Sequence, residues 1–299
     1  MLRLAFSFLL IFSFAHAINA QITLDPQRDS EQNVVIYAVN PTKIPYSLII
    51  NFSDLQNMTT SGGGNTVAVA SPGRSKVATL KPTLAGQGTN YRYSFSFAKG
   101  NIYGKTKVEP IYLIPVADGT AVTAHVNTNI SKAIKSDVDA EAYVGVSFVF
   151  EEATTIVAPR KGVIAEMKMD YRTESDNLAF AADENYIEIF HEDGTLTRLK
   201  ILKAGSEKVQ VGDVVLPGQA LAESAGDKYQ NGPHVLMINF KPVKADLDKF
   251  KYTYFPVVFA AKEGNLEIKE STKLTATQPQ EVVTMELSKK ELKQLQESN

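Results

Sequence analysis

The chain contains no cysteine. No disulfide can brace it, no thiol can act as nucleophile or metal ligand, and no acylated cysteine can anchor it to a lipid surface. Beyond the first twenty residues no apolar run is long enough to cross a bilayer, which excludes a helical transmembrane anchor. Basic residues nowhere gather into a patch that could hold a phosphate backbone, so nucleic acid is excluded as a partner. Histidine is scarce too, with four in the chain, one of them His16 near the start. Any histidine-built metal site therefore has three candidates to draw on.

Residues 1–20, MLRLAFSFLLIFSFAHAINA, place one arginine before a short apolar run and then small residues suited to signal peptidase. They read as an export signal, with the mature chain starting at Ile18 or Gln21, and they predict a periplasmic or secreted protein. Removing Arg3 with the signal takes the basic residues from 31 to 30 against 33 acidic, a net charge of about −3.

From residue 21 to 114 the apolar runs are short, β-branched and aromatic, and punctuated by Gly, Pro, Asn and Ser. The period-two pattern of YRYSFSF (91–97) puts Tyr91, Tyr93, Phe95 and Phe97 on one face. This predicts an all-β fold opening with an N-terminal β-sandwich. SGGGN (61–65) reads as a loop rather than a phosphate cradle, because no lysine and helix start follow it. Residues 115–140 read as a polar connector, 141–268 as a second strand-rich domain, and 269–299 as a polar tail. In that tail Ser288 and Glu291 form a capping box, with Leu287 and Leu292 at the staple positions, and they predict a short helix. With only Leu292 and Leu295 as apolar anchors, that helix is marginal unless it docks.

Three phrases of the second domain, in order, carry a resemblance: APRKGVIAEM (158–167), then YIEIFHEDGTLTRLKIL (186–202) with VQVGDVVLPGQALAES (209–224), and then GPHVLMINF (232–240). Together they resemble the lysostaphin/LytM-like zinc endopeptidases, which are exported and cut peptidoglycan peptides. The resemblance implies a zinc site, but its ligand positions fall on Ser147 and Leu236, and the expected upstream histidine has no counterpart in KSDVDAEA (135–142). The first histidine of the family's His-x-His pair survives as His234, while the other catalytic histidine falls near Ile201. Because His234 and Leu236 share one strand face, a lone imidazole would stand beside a leucine. The expectation is a degenerate member with no metal, no cofactor and no catalytic residue. Its partner would be peptidoglycan or a cell-wall hydrolase, engaged in the old cleft by Tyr171, Arg172, Phe180, Tyr229 and His234. An active endopeptidase with a non-standard metal site and a purely structural envelope protein are the alternatives.

Plainer readings stand beside these. His234 also reads as a strand-start histidine bonded to backbone or water, His191 as the cap of a turn and His125 as part of the connector. A substitute site built from the three lacks close spacing. AEMKMD (165–170) resembles the attachment tip of biotinyl domains, but Lys168 follows the APRKGV phrase where a carrier lysine would precede it, and it reads as a solvated strand residue. Asn51, Asn57 and Asn129 stand in Asn-x-Ser/Thr sequons.

Overall fold

A computed structural model describes residues 22–106, 108–128, 143–172, 175–176, 178 and 184–298, the last five by main chain alone. Among them seven strands build the N-terminal domain: β1 (Thr23–Arg28), β2 (Val34–Asn40), β3 (Tyr46–Gln56), β4 (Met58–Thr60), β5 (Asn65–Ala70), β6 (Gly73–Pro82) and β7 (Asn90–Lys99). They form two sheets, ordered β1-β2-β6-β4 and β5-β3-β7. Alternation decides which side chains meet between the sheets. Val34, Ile36 and Ala38 of β2 and Leu80 of β6 pack against Leu48, Ile50 and Phe52 of β3, with Tyr91, Tyr93 and Phe95 of β7 closing the edge. The expected β-sandwich is present, and the domain needs no cross-link because both sheets bury a complete apolar face.

The second domain follows with β8 (Ile111–Leu113), β9 (Ala121–Thr128), β10 (Tyr143–Val149), β11 (Thr155–Val157), β12 (Gly162–Lys168), β13 (Tyr186–Phe190) and β14 (Leu196–Lys200). It continues with β15 (Val214–Val215), β16 (Ala220–Glu223), β17 (His234–Lys244), β18 (Phe250–Tyr254), β19 (Val258–Ala260), β20 (Leu266–Glu267) and β21 (Thr272–Thr275). The large sheet runs β15-β12-β13-β14-β17-β10-β9-β21, and the far half of β17 pairs with β18. Two smaller sheets, β11-β16 and β20-β19-β8, cover its inner face. Phe148, Ile164, Ile187, Ile189, Leu199 and Met237 from the large sheet there share one core with Tyr112, Ile156, Leu221 and Phe259.

Strands occur on both sides of the second domain's expected limits. β9 lies in the stretch read as a connector, and β21, in the stretch read as a tail, pairs with it from Thr272↔Ala124 to Thr275↔Ala121. Both strands hide in polar stretches because β9 buries only Val122 and Ala124 and β21 only Leu274. Two helices close the chain, α1 (Gln280–Thr284) and α2 (Lys289–Ser298). The capping box is formed: Ser288 N donates to Glu291 Oε2 at 2.7 Å and Glu291 N to Ser288 Oγ at 3.3 Å. The tail is also docked. Val282 is buried against Leu113 and Ala260, the guanidinium of buried Arg160 grips Glu286 through Nε at 2.7 Å and Nη2 at 2.6 Å, and Lys161 pairs with Glu291 at 2.8 Å.

The N-terminal domain lies against the outer face of the large sheet. Ile44 and Tyr46 join Leu196, Ile238 and Phe240 in an apolar cluster between the domains. Beside it Lys99, at the end of β7, reaches Glu166 at 2.6 Å and Glu188 at 2.7 Å. Glu188 is fully buried and also receives Arg198 Nη2 at 2.7 Å. Burial alone would draw the Lys99 pKa down, but the Glu188 charge and the hydrogen bonds to both carboxylates outweigh it and leave it raised.

Candidate functional site

One row of side chains crosses the outer face of the large sheet. His125, Ser147, Leu236, Lys200, Tyr186 and Lys168 are successive register partners on β9, β10, β17, β14, β13 and β12. Directly opposed residues project from the same face, so the two positions expected to hold metal ligands, Ser147 and Leu236, are immediate cross-strand neighbours. His234 stands one step along from Leu236, opposite Val149.

The chemistry of this row is not that of a zinc site. Ser147 Oγ accepts a hydrogen bond from Asn127 Nδ2 at 2.7 Å. Leu236 offers no lone pair and packs into the apolar cluster between the domains. On its other side stands the ammonium of Lys200, paired with Glu184 at 2.6 Å, and a cation there repels a metal ion. Zinc asks for about three nitrogen, oxygen or sulfur ligands, and the residues in this row do not supply them. Among the described residues no group of three or more His, Cys, Asp or Glu side chains is placed to hold a metal. The KSDVDAEA segment lies outside the described residues.

The three histidines stand apart in role. His234 is buried, with Nδ1 2.7 Å from Gly232 O, so Nδ1 carries the proton; its ring meets Tyr229 edge to face at 5.2 Å. His125 belongs to β9 and is exposed beside Ser147. His191 differs from its expected role as a turn cap. Its backbone does close the turn, with Gly194 N donating to His191 O, but its side chain is fully buried. Nδ1 lies 2.7 Å from Lys161 O and Nε2 2.8 Å from Thr197 Oγ1. Burial, reinforced by the Arg160 charge, lowers its pKa to about 3.

Past the end of β14 the chain opens a cleft of about 580 Å³, with Tyr171, Arg172 and Tyr229 among its walls. Three of the residues expected to bind are thus brought together, and His234 supports the Tyr229 ring from behind. Phe180 lies outside the described residues. The Tyr229 hydroxyl donates to Glu184 Oε1 at 3.2 Å; burial and that carboxylate push its pKa up. Ile201, where the second catalytic histidine was expected, lines the cleft and takes φ of +70°. A β-branched residue in the left-handed region is strained, and it is held by hydrogen bonds from its own N to Asn185 O at 3.1 Å and from Ala225 N to its O at 2.9 Å.

Glu184, Asn185, Lys200 and Lys203 were missed from sequence. A signal was present for Lys200: Arg198 and Lys200 alternate with apolar residues in LTRLK, which places both on the outer face. Glu184 and Asn185 precede a strand and carry no such pattern. In the same manner, the isolated lysine in the biotin-like phrase proves to be a strand-end residue, with Lys168 Nζ 5.9 Å from the Tyr171 ring centre. Asn57 uses its amide locally, donating to Leu84 O at 2.9 Å.

The fold is nearly all β, built from several sheets. Residues 141–245 match peptidase family M23, and the chain carries a LytM-like domain of that family there. Solved structures with likeness include the SpoIIQ–SpoIIIAH pore-forming complex (18% identity, 45% of this chain and 85% of that one, TM-score 0.32). Helicobacter pylori Csd3 aligns over 92% of this chain and 84% of its own at 10% identity, TM-score 0.31. A zinc-containing peptidase from Vibrio cholerae aligns over 75% and 85% at 16% identity, TM-score 0.33. No curated protein sequence matches the chain. No helix among the described residues is long and apolar enough to cross a membrane.

Proposed function

We propose that this is an exported, non-catalytic protein with an M23 domain that binds wall peptide in peptidoglycan or engages and regulates a cell-wall hydrolase. The observation that carries the reading is the pairing of Ser147 with Leu236 in register, with Leu236 drawn into the contact between the domains. A leucine at that position, packed beside the apolar cluster and without a lone pair, cannot coordinate a metal. Hydrolysis of an amide at neutral pH in this family's manner depends on a metal-bound water, and His234 alone cannot take over that electrostatic role.

What remains usable is the cleft beyond Ile201. Tyr171 and Tyr229 give flat, partly apolar walls, and Arg172 adds a planar donor group, a combination suited to holding an extended peptide. The export signal read in residues 1–20 supports a location where wall peptides are found. The reading is tested by incubating the mature protein with purified sacculi. Capture in the pellet, with no released fragments and far less than one zinc per chain, is the expected result. Fragment release that stops with chelator restores the active-enzyme reading, and absence of capture favours a structural role.

A further inference from the structure

The buried side chain of Asn185 ties together the two segments that frame the cleft. Its Oδ1 accepts from Tyr171 N at 2.8 Å, and its Nδ2 donates to Tyr171 O at 2.9 Å and to Leu202 O at 3.0 Å. Each clamped residue is followed directly by a cation that lines the cleft, Arg172 after Tyr171 and Lys203 after Leu202. One amide therefore fixes the backbone from which both charges project.

The other lining charges are already spoken for. Glu184 is paired with Lys200 at 2.6 Å, and Lys228 with Asp176 at 2.7 Å. Arg172 and Lys203 are exposed, and neither forms an ion pair among the described residues, Lys203 acting on Glu223 only from a distance. Asp227, also exposed, is the exception among the described lining acids, so among the described lining residues the charge outside ion pairs is two positive against one negative. Two like charges set on one clamped frame repel each other, and an anion between them removes that cost while accepting from a guanidinium fork.

We infer that Arg172 and Lys203, positioned by Asn185, form a receptor for a peptide carboxylate, and that the cleft takes a peptide carrying one. This rests on the wall-peptide reading above and narrows it to the acidic portion of the peptide. Tyr171 and Tyr229 flank the bound chain, and Asp227 faces an ammonium or amide of the same ligand. The carboxylate is either the peptide's C-terminus or an acidic side chain; both present the same two oxygens.

The test uses the full mature protein and a fluorescently labelled wall stem peptide in four forms: both carboxylates free, the C-terminus amidated, the side chain amidated, and both amidated. Binding is read by anisotropy. The fully acidic form is expected to bind about tenfold more tightly than the doubly amidated one, and the singly amidated forms show which carboxylate is read. Arg172→Gln and Lys203→Gln should each lose about tenfold on the acidic form and nothing on the doubly amidated form, with an unchanged melting point. Arg172→Lys should recover part of the loss. Equal binding of all four peptides, or acidic-form binding by both variants at the wild-type level, overturns the inference while capture of sacculi keeps the wall-binding function. If the wild type captures neither sacculi nor any peptide, both fall.

Discussion

Acid should destabilise this protein through His191 before its carboxylates begin to titrate. The imidazole is fully buried and its pKa is lowered to about 3 by burial and by the neighbouring Arg160 charge. An unfolded chain returns it to about 6.5. Between these values the unfolded state binds the proton and the folded state does not, so the stabilisation is complete above about pH 6.5 and drains away as the pH falls toward 3. At pH 5 the unfolded form gains RT ln(1 + 10^1.5), about 2 kcal/mol, relative to pH 7.5. An unfolded glutamate at its reference value is still mostly ionised at pH 5, so lowered groups such as Glu166 and Glu291 add only about 0.2 kcal/mol each there. Urea unfolding at pH 7.5 and pH 5 should therefore show the wild type losing about 2 kcal/mol more than His191→Asn, which keeps a donor for Lys161 O and an acceptor for Thr197. The hydrogen bonds also specify the tautomer. Lys161 O can only accept, so Nδ1 bears the proton, Nε2 accepts from Thr197, and Asn239 must turn its amide nitrogen toward Thr197 Oγ1. That orientation gives a partner to Asn239 Nδ2, which is buried without one when the oxygen faces Thr197, and trades an orphaned donor for an orphaned acceptor, the less rare of the two. Two-bond proton–nitrogen spectra read the tautomer directly. A His191 resonance that titrates between pH 5 and 7, or a proton on Nε2, would refute the reasoning.

The remaining predictions concern the altered site and the contacts that hold the two ends of the chain. Ser147→Asp combined with Leu236→His should neither bind stoichiometric zinc nor cleave peptidoglycan, since Lys200 still places an ammonium beside the new histidine; metal analysis and turbidity of sacculi check this, and zinc at one per chain with clearing counts against it. Truncation after Thr275 removes Val282 and both oxygens of Glu286 from buried Arg160, and should cost about 3 kcal/mol, read as a melting-point fall of roughly 6–12 °C. An unchanged melting point would show that the docked tail adds nothing. Lys99→Met leaves Glu188 buried with Arg198 as its remaining cation, and should cost about 2 kcal/mol in urea unfolding while loosening the domains enough for a protease to cut between them.

The sandwich and the large sheet were legible because their strands alternate. In VVIYAVN and YIEIF alternation picks out the core-facing Val34, Ile36, Ala38, Ile187 and Ile189, all of them buried, while the burial of polar Asn40 and Glu188 lies outside that apolar pattern. The capping box was legible because its spacing is local. The docking of the tail was not, since Arg160 and Glu286 are 126 positions apart and each alone looks like an ordinary surface charge. The same limit applies to Glu188 and Lys99: alternation shows that Glu188 lies opposite the core, on a face expected to meet water, and cannot show that another domain covers it. Leu236 joins the two levels. The resemblance reads it as standing at a metal position, which does not say what the side chain does. In the structure it packs at the margin of the apolar cluster in which Ile44 and Tyr46 meet Leu196, Ile238 and Phe240 of the sheet. A histidine restored at that position would set a half-buried imidazole beside those apolar side chains and next to Lys200. The leucine thus adds apolar surface beside the cluster between the domains, and under the proposed function the cleft beyond Ile201 is the part of this face that takes a ligand.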